Sequence, residues 1–151
     1  MICLPSVARH QGVCLHYSPQ PNALLTSLFE ALGGVVTVDT EDQMSACMMT
    51  TCVMGPLYGI MREGRDWLIA QGIPPKEASY LVSKQFLGMV QDAERDCENP
   101  TRLDDLIAEQ TPGGLNAQAL GNLATLGGLD AYRHTMDAIL SRIKGETDGS
   151  V

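Results

Sequence analysis

The stretch Gln110-Thr111-Pro112-Gly113-Gly114 runs straight into an apolar segment from Leu115, so it reads as a turn leading into a helix. The first N–H groups of such a helix have no intrahelical acceptor and can hold a carboxylate, although the same residues also make a plain helix start. A second feature is Gly55-Pro56, inside a run from Met44 to Met61 that contains no charged residue. Pro56 offers no N–H to the carbonyl of Cys52 and its ring crowds that carbonyl, which predicts a kink in any helix passing through it. A kink beside a bare glycine is either a packing device or a ligand wall; taken alone, the residues favour packing.

Side-chain chemistry is sparse. The chain has no Gly-x-Gly-x-x-Gly after a strand, no phosphate loop, no His-Glu-x-x-His and no nucleophile elbow. His10, His16 and His134 have no sequence neighbours that suggest a triad and read as surface or structural residues. Asp104-Asp105 opens a short helix, where negative charge is favoured without a catalytic role. No catalytic residue and no metal site is therefore expected. The five cysteines, Cys3, Cys14, Cys47, Cys52 and Cys97, are odd in number and form no Cys-x-x-Cys pair. They read as small buried hydrophobes in a reducing cytosol rather than as a disulfide or zinc framework.

The elements that must position these features are mostly helices. Ile2 to Ala8 and Val13 to Tyr17 are short apolar, strand-like runs separated by Arg9-His10-Gln11-Gly12; Ser18-Pro19-Gln20-Pro21-Asn22 then breaks the chain. Leu24, Leu25, Leu28, Phe29 and Leu32 have helical spacing before Gly33-Gly34, and Val35 to Val38 is a third strand. Three strands make a sheet too small to cover itself. Met44 to Gln71 is the longest predicted helix, its first half expected to be buried on all sides and its second half, from Arg62, to have a wet face. Ser45, Thr50, Thr51 and Gly55-Pro56 make it too polar and interrupted for a membrane span. Gly72-Ile73-Pro74-Pro75 is a stop. Helices are predicted over Lys76 to Asp96, Thr101 to Glu109 after Asn99-Pro100, and Leu115 to Leu126. The last helix carries Leu129, Tyr132, Met136, Ile139, Leu140 and Ile143 as a narrow seam, stops at Gly145, and leaves residues 146–151 as a disordered polar tail.

At 151 residues the chain has room for one ordinary core or a small domain with an appendage. A net charge of -8 argues against a surface that tracks nucleic acid. With 1 Trp and 2 Phe the core has few large aromatics, and 8 Met act as adaptable filler. The N-terminus lacks the charged start and sustained apolar run of a signal peptide, which predicts a cytoplasmic protein. Several helices carry more apolar surface than their neighbours can cover, which predicts an obligate homodimer with an apolar interface.

The order of these pieces resembles the C-terminal, dimerisation part of pyrroline-5-carboxylate reductase. The pieces are Leu4-Pro5-Ser6, Leu28-Phe29 to Gly33, Glu41, Cys52-Val53-Met54-Gly55-Pro56-Leu57-Tyr58, Gly72-Ile73-Pro74 and Thr111-Pro112-Gly113-Gly114-Leu115-Asn116. The resemblance is most specific in Gly55-Pro56-x-Tyr58 and Pro112-Gly113-Gly114. It implies a mainly α fold, a helical dimerisation domain like the C-terminal part of 6-phosphogluconate dehydrogenase, after a three-strand remnant of a Rossmann sheet. The implied divisions are residues 1–40 from a truncated dinucleotide-binding domain, 41–145 for the helical domain, and the tail.

The same resemblance implies part of an NAD(P)H-dependent oxidoreductase of proline biosynthesis that reduces a small carboxylated cyclic imine. Met54, Gly55, Thr111, Gly113, Gly114, Leu115 and Asn116 would bind substrate, and Pro5, Ser6 and Glu41 would lie near the cofactor, NADP or NAD. Because the dinucleotide-binding half is expected to be missing, the chain alone is expected to bind no cofactor and to be inactive. Bulky Cys52, Val53 and Met54 replace the family's small residues, and Leu115 and Asn116 replace its two threonines. The alternative is a standalone dimerisation or small-molecule-binding module without catalysis. Other two-domain dehydrogenases with helical C-terminal domains, of the 6-phosphogluconate or F420-dependent type, lack this placement of Pro-Gly-Gly.

Overall fold

A computed structural model describes residues 2, 3, 5–18, 20 and 22–151, so expectations that fall on Leu4, Pro19 and Pro21 lie outside the described residues. The chain divides into two compact units, Met1–Val53 with Ala131–Val151, and Met54–Asp130.

The first unit contains the sheet. Strand β1 (Ile2–Cys3) runs antiparallel to β2 (Cys14–Tyr17), with Ile2 opposite Leu15 and Cys3 opposite Cys14. Strand β3 (Val35–Val38) runs parallel to β2, with Cys14 opposite Val35 and Tyr17 opposite Val38. A parallel pair needs a crossover, and α1 (Ala23–Ala31) supplies it. The run from Ile2 to Ala8 is strand only as far as Cys3. Pro5 cannot donate to a ladder, and the chain turns instead into a 3-10 helix, Pro5–Arg9.

Helix α1 starts because Asn22 Oδ1 accepts the N–H of Leu25 at 3.2 Å. It ends at Gly33, whose φ of +128° suits glycine and whose backbone lies so close to Gly12 that an added Cβ would stand 2.6 Å from the Gly12 carbonyl oxygen. Helix α2 (Glu41–Thr50) opens with a reciprocal cap: Thr40 Oγ1 accepts from Gln43 N at 3.1 Å, and Gln43 Oε1 accepts from Thr40 N at 3.2 Å. Both helices pack on the sheet. Cys14, Leu15, Phe29, Val38 and Met49 form the core there, together with His16.

The single helix expected over Met44 to Gln71 is two. Helix α2 gives way to a 3-10 turn at Thr51–Val53, and α3 (Met54–Ala70) begins the second unit. Pro56 is therefore the third residue of α3, inside the first turn, where its missing N–H has no acceptor to lose. The irregularity sits before the proline and not at it.

Helices α3 and α4 (Pro75–Glu94) form a hairpin. Its corner is a Schellman motif: Ile73 N–H donates to Leu68 O at 3.1 Å and Gly72 N–H to Ile69 O at 2.9 Å, with Gly72 at φ +89°. Ala78 and Val82 are the buried residues of α4, and Val82 Cγ2 comes within 3.8 Å of where a Cβ on Gly64 would be. Helix α5 (Arg102–Ala108) is tied to α4 by Arg102, whose guanidinium donates to the Asp92 carbonyl at 2.8 Å. Helix α6 (Leu115–Thr125) follows. Helix α7 (Gly128–Ile143) begins in the second unit and ends in the first, where Lys144 Nζ lies 2.8 Å from Asp42 Oδ1 at the start of α2.

Two burial expectations are corrected. Within one chain, Met49 is the one buried residue of Met44 to Met61, and most large apolar side chains of α3 are exposed, Trp67 by 64%. By length and composition the helical stretch Glu41–Ala70 could cross a membrane, with a mean hydropathy of 1.3 over its most apolar window, of which 6% is buried. The break at Thr51–Val53 and the charges from Arg62 interrupt that stretch. Of the five free cysteines only Cys14 is buried; Cys47 is half-buried, and Cys3, Cys52 and Cys97 are exposed. Apolar sequence around a cysteine identifies a surface that needs cover but not whether the same chain provides it.

Candidate functional site

The residues ahead of α6 form a tight turn. Gly114 N–H donates to Thr111 O at 2.8 Å, Pro112 occupies the second position, and Gly113 at φ +73° the third, the arrangement of a type II turn. A Cβ on Gly114 would lie 2.9 Å from the Thr111 carbonyl oxygen, so the turn closes only over glycine. Gly114 is the N-cap of α6 and offers no side chain, which leaves the first amides of the helix without a capping acceptor. In contrast, α1 and α2 are capped by Asn22 and Thr40.

Gln110 fixes the floor of this feature. Its Nε2 donates to Leu106 O at 2.9 Å and its Oε1 accepts from Asn116 Nδ2 at 2.9 Å. Glu109, Gln110, Thr111, Gly114, Leu115 and Asn116 line a cleft of about 390 Å³. The positive end of the helix dipole and the uncapped amides favour an anion here, while Glu109 is the one ionisable residue of the lining and opposes it. What this arrangement can do chemically is hold a small anion at the helix start.

The structure gathers part of the expected site. Thr111, Gly114, Leu115 and Asn116 line the cleft, and Gly113 shapes its turn. Met54 and Gly55, the first residues of α3, are exposed and do not line it, and open space surrounds the position of a Gly55 Cβ. Pro5, Ser6 and Glu41 belong to the first unit. Pro5 and Ser6 open the 3-10 turn after β1, and Glu41 is the exposed first residue of α2. Gly12 gives Ser6 its room, since a Cβ there would stand 2.5 Å from Ser6 Oγ.

Sequence reasoning missed a second cavity, of about 190 Å³, between α3 and α4, lined by Tyr58, Met61, Arg62, Arg65, Ser79, Val82 and Ser83. Its signal was available in the spacing, because Arg62 and Arg65 share one helix face and Ser79 and Ser83 another. Both arginines are paired along their own helix, Arg62 with Glu63 at 3.3 Å and Arg65 with Asp66 at 2.7 Å. Gln110 was also missed as the residue that orients Asn116; a glutamine six positions ahead carries no periodic signal.

Several groups of the first unit are shifted from their ordinary titration. The hydrogen bond and charge of Lys144 hold the Asp42 carboxyl below the usual carboxylate range and raise Lys144 in return. Burial, then the hydrogen bond to Cys3, pushes the Cys14 thiol up.

Comparison with known proteins now bears on the fold. A family described as pyrroline-5-carboxylate reductase dimerisation matches residues 41–145. A pyrroline-5-carboxylate reductase from Coxiella burnetii superposes with a TM-score of 0.79 at 18% identity, over 97% of this chain and 56% of that one. The pyrroline carboxylate reductase of Plasmodium falciparum, solved with NADP bound, superposes with a TM-score of 0.66 at 15% identity, over 99% of this chain and 62% of that one. At these identities the likeness is one of fold, and the chain spans less than two thirds of either relative. Comparison with curated proteins gives no match. The match over residues 41–145 and the shared fold place this chain in the pyrroline-5-carboxylate reductase dimerisation family.

Proposed function

We propose that this chain is the dimerisation and substrate-holding part of a pyrroline-5-carboxylate reductase-like oxidoreductase of the cytoplasm, acting on a small carboxylated imine. The observation that carries the reading is the uncapped start of α6 behind the Thr111–Gly114 turn, where Leu115 and Asn116 line a cleft large enough for a five-membered ring acid. Gly113 and Gly114 keep the backbone bare, Thr111 closes the turn, and the Asn116 carbonyl oxygen, opposite the amide held by Gln110, is left to orient the ligand. Met54 and Gly55 complete the substrate-binding set by family resemblance.

Hydride transfer would be supplied by a reduced nicotinamide dinucleotide, NADPH or NADH. The residues described here do not make a full site for that molecule. The two helices that follow strands β2 and β3 have their N-termini filled by Asn22 and Thr40, so neither is an open pyrophosphate cradle. Pro5, Ser6 and Glu41 would meet only the nicotinamide end, and on this reading the chain by itself neither binds the cofactor nor turns over.

The exposed apolar faces of α3 and α4 are covered by a second copy in a homodimer, and nucleic acid and membrane are not partners. A different reading, a binding module without catalysis, is favoured by Leu115, which is 83% exposed at the cleft mouth where the family has a hydroxyl. Turnover of a cyclic imine with NADPH by this chain alone would exclude that second reading.

The site is tested by NMR titration with L-proline, which keeps the carboxylate, and with pyrrolidine, which lacks it. The expected result is movement of the Leu115 and Asn116 amide resonances with proline only. Equal movement with both, or none with either, would contradict a carboxylate site at α6.

A further inference from the structure

We propose that Cys3 and Cys14 are a redox modification site, a dithiol that closes to a disulfide across the antiparallel pair β1–β2. The two residues are directly opposite each other in the strand register, and their sulfurs stand 3.2 Å apart. A disulfide needs the sulfurs about 1 Å closer, with its Cβ atoms roughly 3.5–4.5 Å apart, a spacing that facing residues on antiparallel strands approach with little backbone movement.

The surroundings of the two thiols differ in the way the chemistry requires. Cys3 is exposed on the edge strand, where a small oxidant can reach it. Cys14 is fully buried on the central strand, with the Cys3 sulfur against its own. Burial also keeps Cys14 protonated more strongly than an ordinary thiol, which favours Cys3 as the first to react. The pair is not half of a metal centre, because among the described residues no three His, Cys, Asp or Glu side chains are placed to hold an ion. The site lies outside residues 41–145, and it does not depend on the reading of the α6 cleft.

The step is thiol–disulfide exchange with a low-molecular-weight disulfide such as glutathione disulfide. The Cys3 thiolate attacks one sulfur and expels one glutathione thiolate, giving a mixed disulfide at Cys3. The Cys14 thiolate then attacks the Cys3 sulfur and expels the second glutathione. Two protein thiols are oxidised, one glutathione disulfide is reduced to two thiols, and the two protons released from the cysteines end on those glutathiones at neutral pH. The product staples β1 to β2 and so fixes the turn that carries Pro5 and Ser6.

The test equilibrates the whole chain with mixtures of reduced and oxidised glutathione, traps free thiols with an alkylating agent, and maps peptides without reduction. Cleavage after Arg9 and after Glu30 isolates Cys3 on residues 1–9 and Cys14 on residues 10–30, apart from Cys47 and Cys52, so a Cys3-to-Cys14 crosslink is read as one joined peptide pair. The expected result is that linkage in preference to any involving Cys47, Cys52 or Cys97, reversible with dithiothreitol, and unchanged in a Cys47→Ser/Cys52→Ser chain. In Cys14→Ser the mixed disulfide has no resolving thiol, so glutathione should accumulate on Cys3. Cys3 and Cys14 remaining alkylatable while Cys52 and Cys97 acquire glutathione would overturn the proposal. A Cys14→Ser chain with no more glutathione on Cys3 than the wild type would overturn it as well.

Discussion

His16 sits on the central strand, 6% exposed, with its ring 5.7 Å from that of Phe29. Its Nδ1 has no hydrogen-bond partner among the described residues, and an unpaired buried polar atom costs about 1–3 kcal/mol. Replacing it with phenylalanine, His16→Phe, should therefore raise unfolding stability by about 1 kcal/mol in urea titration, provided the second ring packs on Phe29. A loss of stability would show that the imidazole makes a bond the geometry does not. Gly33 is the opposite case. Gly33→Ala puts a side chain at φ +128°, against the Gly12 backbone, and should cost about 2 kcal/mol or more by the same measurement. Neither effect was legible in the sequence. A histidine in an apolar run does not announce which ring nitrogen is orphaned, and Gly33 announced a helix stop but not its contact with Gly12.

At the scale of elements, periodicity and glycine placement were read well where one helix decides its own ends. The α3–α4 corner follows from Gly72 and the prolines behind it, and α7 follows from its seam; the lower half, Met136 to Ile143, is half-buried in the first unit. The reading failed where an element depends on something distant. The edge strand stops at Cys3, the break before α3 precedes Pro56, and the cysteine pair depends on a register set by the connection between β1 and β2. In the hairpin, Val82→Ala should cost about 1–3 kcal/mol, because Val82 fills the space left by Gly64.

The Asp42–Lys144 pair between α2 and the end of α7 gives a pH signature. The folded carboxyl titrates below its ordinary 3.8, so its contribution is present above that value and is lost as pH falls through the lower folded value. Lys144 titrates above its ordinary 10.5, so its contribution is full below that value and is lost as pH rises through the higher folded one. Asp42→Asn should flatten both limbs of the stability curve, most clearly at low salt because the pair is exposed. An unchanged acid limb would mean the pair adds nothing to the fold.

For the whole molecule, the feature that matters is apolar surface left open to solvent. Tyr58, Ile60 and Trp67 on α3, Tyr80 and Met89 on α4, and Leu126 after α6 all face outward. The sequence shows this surplus as an uncharged run whose first half is expected to be buried, whereas within one chain only Met49 of that run is. The sequence also leads to the expectation of a second copy as the cover, because several helices carry more apolar surface than their neighbours can hide; what it does not show is which side chains stay open within one chain. In the proposed homodimer a second copy covers that surface, and Trp67→Glu should weaken association while leaving helix content unchanged by circular dichroism.

Sedimentation equilibrium of the whole chain at micromolar concentration tests the central claim most directly. A mass of twice 16.3 kDa, shifted toward the monomer by Trp67→Glu, is the predicted result. A well-folded monomer, or a chain that stays dispersed only in detergent, would contradict the account.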